Sequence, residues 1–199
     1  SLVKFVTLAL CCYSVVLVLL TLWNPNNPAF KLSLFGENGL SLNLYTILFI
    51  IFFGIGYGAY YSTADMPIPM VADCSDYETY RSGKYIPGIM GTLFSLVDKL
   101  VSSLATTVVG VAVSMIGLQV LPTATTPYTE GMNVLVIILF VAIPMIAWIL
   151  TLIAMRGYEL TGARMKEIQA VNAKRKEAIA GGMTFAEASQ KYATLEDLN

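Results

Sequence analysis

Met66–Lys99, MPIPMVADCSDYETYRSGKYIPGIMGTLFSLVDK, places a short acidic and basic segment between two apolar runs, and the second run encloses the adjacent charges Asp98 and Lys99. A charged side chain at the centre of a helix in lipid costs roughly 2.5–3.5 kcal/mol on insertion scales, so such residues face a bundle interior or a watery path. Asp98 and Lys99 are therefore functional candidates, Lys99 first. The surrounding chain is 56% hydrophobic and only 13% charged, with a mean hydropathy of +0.69. A soluble domain is about 45–50% apolar and a quarter charged, so the composition indicates an all-α integral membrane protein.

A helix needs about 20 apolar residues to cross a hydrocarbon core of roughly 30 Å. Four stretches qualify, at about 2–23, 42–62, 87–117 and 132–155. The division expected is a membrane domain over 1–156 and a cytoplasmic helical tail over 157–199. Pro25 and Pro28 stop the first span after Trp23, an interfacial anchor, and the following Asn-Pro and Gly-Glu-Asn-Gly elements read as turns. Pro67 and Pro69 break the chain after the second span.

The third span is the most informative. Thr92, Ser95, Lys99, Ser102, Ser103 and Thr106 recur at helical period, with Gly110 extending the stripe, and Asp98 lies along its edge, three residues from Ser95 and four from Ser102. A polar stripe in lipid needs an aqueous cavity or polar neighbours. Asp98 and Lys99 are adjacent and point about 100° apart, so each needs its own partner. In the second span Tyr57, Tyr60 and Tyr61 share one helical face, which suits either the stacking of a sugar ring or an interfacial aromatic belt. Gly54, Gly56 and Gly58 fit close helix packing or a ligand site. The fourth span has few polar residues besides Asn133 and Thr151 and reads as lipid-facing.

Basic residues gather on alternate sides. Arg81 and Lys84 follow the second span, no Lys or Arg lies between the third and fourth, and the tail carries Arg164, Lys166, Lys174, Arg175, Lys176 and Lys191. The positive-inside rule then places the amino end, the Arg81 loop and the carboxy-terminal tail in the cytoplasm of a multi-pass cell-membrane protein. Thr161 marks the start of a helix to about Ala180, and Thr184 with Glu187 forms a capping-box pattern. Lys174-Arg175-Lys176 reads as a solvated stop-transfer segment or a contact to anionic headgroups. Enzymatic work is not expected: the chain has no His, no Cys-His or Ser-His pairing and no phosphate-binding glycine loop. Cys11, Cys12 and Cys74 lack metal-ligand spacing, so neither a metal centre nor a cofactor is expected, and no nucleic-acid motif is present.

The order Met70, Ala72, Asp73, Asp76, Tyr77, Glu78, Tyr80, Arg81, Gly83, Lys84 and then Lys99 resembles the glycoside-pentoside-hexuronide:cation symporters, melibiose permease-like members of the major facilitator superfamily. The similarity covers most of the chain from about Asp65. It implies the last four helices of a twelve-helix major facilitator fold, hence the carboxy-terminal part of a longer carrier whose amino-terminal half is the missing partner. It also implies sugar (glycoside, pentoside or hexuronide):cation symport by alternating access, with Na⁺ or H⁺ as coupling ion and membrane lipid around it. On that resemblance the coupling and substrate or cation region is Lys99 with Asp98, Ser95, Thr92 and Ser102, and Tyr57, Tyr60 and Tyr61 are candidate substrate contacts. Asp73, Asp76, Tyr77, Glu78, Tyr80 and Arg81 would form a cytoplasmic gating motif, by ion pairs made in one conformation and lost in the other. The chain departs from the family pattern at Ala64, Phe94, Ser95 and Asp98, which leaves the sugar open. A non-transporting membrane sensor or assembly module, or a lipid or amphiphile carrier of the same superfamily, are the other readings.

Overall fold

The computed structural model describes residues 2–36, 39–123 and 126–198. Its helices are α1 (Leu2–Leu22), α2 (Leu44–Tyr61), α3 (Pro67–Ser82), α4 (Pro87–Met115), α5 (Met132–Met155), α6 (Gly162–Ala180) and α7 (Phe185–Lys191). A two-residue antiparallel pairing, β1 (Phe35–Gly36) with β2 (Gly39–Leu40), joins Phe35 to Leu40 and Gly36 to Gly39. Glu37 and Asn38, the centre of the expected Gly-Glu-Asn-Gly turn, lie outside the described residues. Among the described residues four helices, α1, α2, α4 and α5, are long and apolar enough to cross a membrane. The fold is all-α with four candidate spans, consistent with part of a major facilitator fold. The chain separates into two compact units, Ser1–Ala64 with Ser102–Arg156, and Asp65–Val101 with Gly157–Asn199.

In the first unit Val6, Ala9, Tyr13, Val16 and Leu20 of α1 follow one another at helical spacing and meet Ala59 of α2 with Val141 and Trp148 of α5. The Tyr13 ring lies edge-on to Trp148, with centroids 4.8 Å apart. Trp148 is thus buried, which corrects the reading of the fourth span as simply lipid-facing: one of its faces supports α1. A helix leaves its last four carbonyls without intrahelical donors. In α1 the hydroxyl of Tyr45 donates to the Leu19 carbonyl and Asn133 Nδ2 to the Leu20 carbonyl at 3.4 Å. Both donors sit near the first turn of the helix that α1 packs against. Asn43 caps α2 by accepting from the Thr46 N–H at 2.7 Å, and its amide nitrogen donates to the Pro28 and Lys31 carbonyls, which ties the incoming loop to α2.

In α5 the backbone widens to a π-helical stretch over Ile137–Ala142, where the Ile143 N–H bonds back to Ile138 O. Pro144 is the cause: it has no N–H for the carbonyl four residues earlier, and its ring would press against that carbonyl.

In the second unit α3 packs on α6 and α6 on α7. Residues 67–82 are helical, so the connection after the second span is a helix and not the loop expected. Pro67 and Pro69 do interrupt the chain, but they also open α3, because proline in a first turn gives up no intrahelical bond. Gly83 then ends α3 at φ 74°, its N–H bonded to Thr79 O at 2.9 Å, a left-handed cap that glycine adopts freely. Thr184 and Glu187 form the capping box expected at α7. Thr161 precedes α6 as expected, although its side chain makes no capping bond.

The three glycines of α2 separate by environment. A Cβ on Gly56 would fall 2.8 Å from the Tyr13 ring and 2.9 Å from Cys12 Cβ, whereas Gly54 and Gly58 have nothing within 4 Å. Gly56 is there for close packing. Gly56→Ala should lower stability in detergent by about 1–3 kcal/mol, the usual cost of overpacking, with Gly54→Ala and Gly58→Ala near neutral. Equal losses at all three sites in thermal unfolding would contradict this assignment.

Candidate functional site

α4 runs 29 residues, about 43 Å at 1.5 Å per residue, and is longer than a hydrocarbon core of roughly 30 Å. Every residue from Thr92 to Val108 is exposed, so the helix shows both its apolar face, Leu93, Leu96, Val97, Leu100 and Leu104, and its polar stripe. Part of that stripe satisfies itself. Thr92 donates to Gly88 O at 2.8 Å, Thr106 to Ser102 O and Thr107 to Ser103 O at 3.2 Å, the i−4 back-bonding that lets a hydroxyl ride on a helix without an outside partner. The rest does not. Ser95, Asp98, Lys99, Ser102 and Ser103 have no side-chain hydrogen bond or ion pair among the described residues, whose ion pairs are Arg164–Glu167 and Lys174–Glu177. The third span therefore carries two charges and three hydroxyls, those of Ser95, Ser102 and Ser103, that nothing described in this chain satisfies.

Tyr57, Tyr60 and Tyr61 lie in the first unit at the end of an aromatic ladder along α2. Phe49 and Phe53 stack at 5.6 Å, Phe53 and Tyr57 at 5.8 Å, and Tyr57 meets Tyr61 at 5.3 Å. Tyr60 leans on Trp148 at 5.5 Å, so part of its ring is used in packing. All three remain substantially exposed, and their hydroxyls have no hydrogen-bond partner among the described residues. The arrangement can offer ring faces and phenolic hydroxyls to a ligand.

The motif on α3 divides. Asp73, Asp76 and Tyr80 follow at i, i+3 and i+7 and look toward the tail. Asp76 Oδ2 accepts from Gln169 Nε2 at 3.1 Å, and the Asp76 carbonyl accepts from Asn172 Nδ2 at 2.8 Å. Tyr80 is held at three points: its carbonyl accepts from Arg175 Nη1 at 2.7 Å, its hydroxyl donates to Ala193 O at 3.0 Å, and its ring lies under the Arg175 guanidinium at 4.7 Å. Arg164 approaches the same ring at 5.6 Å. Glu78 and Arg81 form no ion pair among the described residues, and Arg81 and Tyr77 are exposed. The six residues thus do not act as one cluster: Asp76 and Tyr80 are engaged by α6 and the segment after α7, Asp73 has only electrostatic neighbours in Tyr158 and Asp76 and no hydrogen bond among the described residues, and Tyr77, Glu78 and Arg81 are open.

Arg175 corrects the reading of the basic tail. It is 6% exposed, not solvated, because position 175 continues the buried face of Met165, Ile168 and Val171 on α6. Its Nε donates to Tyr192 O at 2.9 Å, so one guanidinium ties α6 to the ends of α3 and α7. Burial lowers its pKa, yet an arginine remains charged. Asp73 is raised by burial and then by the neighbouring Asp76, and the Tyr158 phenol by burial and then by Asp73 and Cys74. Glu187 is held below the ordinary range by its bonds to the Thr184 N–H and hydroxyl. Gln169, Asn172 and Tyr158 were not legible as partners of the motif. The apolar spacing of Met165, Ile168 and Val171 was the available signal that α6 packs on something. No group of three or more His, Cys, Asp or Glu among the described residues could hold a metal ion.

Arg175→Gln should leave the Tyr80 and Tyr192 carbonyls without their charged donor, a loss of about 1.5–3 kcal/mol per such bond. Half-buried Cys74 on α3 reports it. With Cys11→Ser and Cys12→Ala as background, maleimide labelling of Cys74 should accelerate by about tenfold or more; an unchanged rate would show that Arg175 does not hold α3.

The family model for MFS/sugar transport protein matches residues 4–162. No curated protein and no solved structure matches the chain. The match spans the four apolar helices and the whole of α3, and the chain accordingly belongs to the MFS/sugar transport protein family of the major facilitator superfamily, a family of membrane transporters and not of enzymes.

Proposed function

We propose that this chain carries part of a sugar:cation symporter that works by alternating access, taking a glycoside, pentoside or hexuronide with Na⁺ or H⁺. The observation that carries the reading is α4. A transporter-family helix that exposes Asp98 and Lys99 without partners, amid hydroxyls at helical spacing, is what a cavity-lining helix requires and what a lipid-facing helix does not tolerate. Lys99 pairs with carboxylates supplied by the amino-terminal half of the carrier, and the pairing changes with cation occupancy. Thr92, Ser95, Asp98 and Ser102 border the same cavity. Tyr57, Tyr60 and Tyr61 offer aromatic faces and hydroxyls to the sugar.

The basic residues around α3 and the tail support a cytoplasmic placement of both, with the amino end on that side of the cell membrane. Gating at that surface falls to Glu78 and Arg81, the charges on α3 that the tail leaves free, while Asp76 and Tyr80 fix the helix that presents them. An ion pair formed by these groups in one conformation and lost in the other supplies the differential contact that a switch needs.

In the intact carrier reconstituted in vesicles, Lys99→Ala should abolish uphill sugar accumulation under both Na⁺ and H⁺ gradients; accumulation at the unmodified level would refute the coupling role. Arg81→Glu should slow transport by about tenfold if one ion pair of roughly 1.4 kcal/mol is lost from one conformation. A rate identical to that of the parent would remove Arg81 from the gate.

A further inference from the structure

The second unit contains a cavity of about 450 Å³ whose lining includes Asp76, Tyr85, Asn172, Arg175, Lys176 and Phe185, within the roughly 300–1,000 Å³ of small-molecule sites. Its polar groups are incompletely used. Arg175 is buried and forms no ion pair; Nε and Nη1 serve two carbonyls, and Nη2 has no hydrogen-bond partner among the described residues. Lys176 beside it is exposed and likewise unpaired. Asn172 Oδ1 is a buried acceptor without a donor, and only Oδ2 of the Asp76 carboxylate is taken, by Gln169. A buried charge without a counter-charge and a buried acceptor without a donor each cost free energy until matched.

Two cationic donors and two acceptors in one cavity ask for a ligand with acidic oxygens and, a few bonds away, an N–H or O–H. Position narrows the class. Tyr85 is 71% exposed and stands two residues before Pro87, where α4, a candidate span, begins. Aromatic side chains at the end of a span lie at the level of the lipid headgroups, and phosphates there pair with lysine and arginine.

We propose that this cavity binds a phospholipid headgroup: the phosphodiester sits on Arg175 Nη2 and Lys176 Nζ, and a donor on the headgroup alcohol, the ammonium of ethanolamine or a hydroxyl of glycerol, bonds Asn172 Oδ1 and Asp76. The site is independent of which sugar or ion the carrier moves. A choline headgroup brings the same phosphate but no N–H or O–H, and it leaves the acceptors unmatched, so the site discriminates by donor and not by charge alone.

The test is native mass spectrometry of the purified intact carrier after exchange against equimolar phosphatidylethanolamine, phosphatidylglycerol and phosphatidylcholine. Retention of the first two over phosphatidylcholine by about tenfold is expected for one buried acceptor satisfied or left unpaired. Lys176→Gln, at an exposed position that does not disturb the Arg175 contacts, should cut that retention about threefold or more. Lys174→Gln, at a lysine paired with Glu177 at 3.2 Å and absent from the cavity wall, should not. Equal retention of all three lipids, or equal loss in the two lysine variants, would overturn the site in favour of diffuse attraction. Displacement of the lipid by soluble glycerophosphoethanolamine at matching concentration would overturn the lipid as its source.

Discussion

Lipid offers no hydrogen bonds, so each polar group carried by a membrane helix has to find its partner within the protein. Much of the packing of the first unit follows from that single constraint. The last turn of α1 exposes carbonyls, and Tyr45 and Asn133 reach them from α2 and α5, so the ends of three helices are joined where each would otherwise lose bonds to solvent. Threonines and serines along the spans return their hydroxyls to the preceding turn, as Ser14 does to Leu10 O and Thr151 to Ala147 O at 2.8 and 2.9 Å. Pro144 removes a donor from the middle of α5, and the backbone widens around it while Trp148, one turn later, packs against Tyr13.

The second unit meets a related demand with charge. Side chains of α6 serve carbonyls of α3: Arg175 takes Tyr80 O, one of the last four that the helix leaves without a donor, and Asn172 adds a bond to Asp76 O one turn earlier. Arg175 is stabilised in burial by these carbonyls and by the face of the Tyr80 ring. Phe185 of α7 covers Gly83 so closely that a Cβ there would fall 2.6 Å from its ring. Any displacement of α3 must carry the tail with it or break these contacts. The tail is thus a structural support of the motif helix, and the motif divides into a face committed to that support and a face left open.

α4 stands apart, because the constraint is not met there. Asp98 and Lys99 have no partner among the described residues, and in hydrocarbon each would cost roughly 2.5–3.5 kcal/mol. The adjacent positions on a helix direct them about 100° apart, so they cannot neutralise each other as a close pair. A helix with this face belongs against water or against other charged groups, and membership of a transporter family supplies the reason for keeping it.

Composition and spacing alone determined the class of this protein, the four spans to within two residues, the start of α6, the capping box at α7 and the polar stripe of α4, since hydropathy and helical period are local properties that the chain carries wherever it folds. The residues of the α3 motif could be named, but not sorted. That Tyr80 would lie under Arg175, that Gly56 and not Gly54 or Gly58 would meet Tyr13, and that Trp148 would be buried were decided by tertiary structure. Each depends on which face of a helix meets a residue far away in sequence, and residues such as Arg175, tens of positions from their partners, carry a charge that reads as surface until packing gives it carbonyls and a ring to replace water.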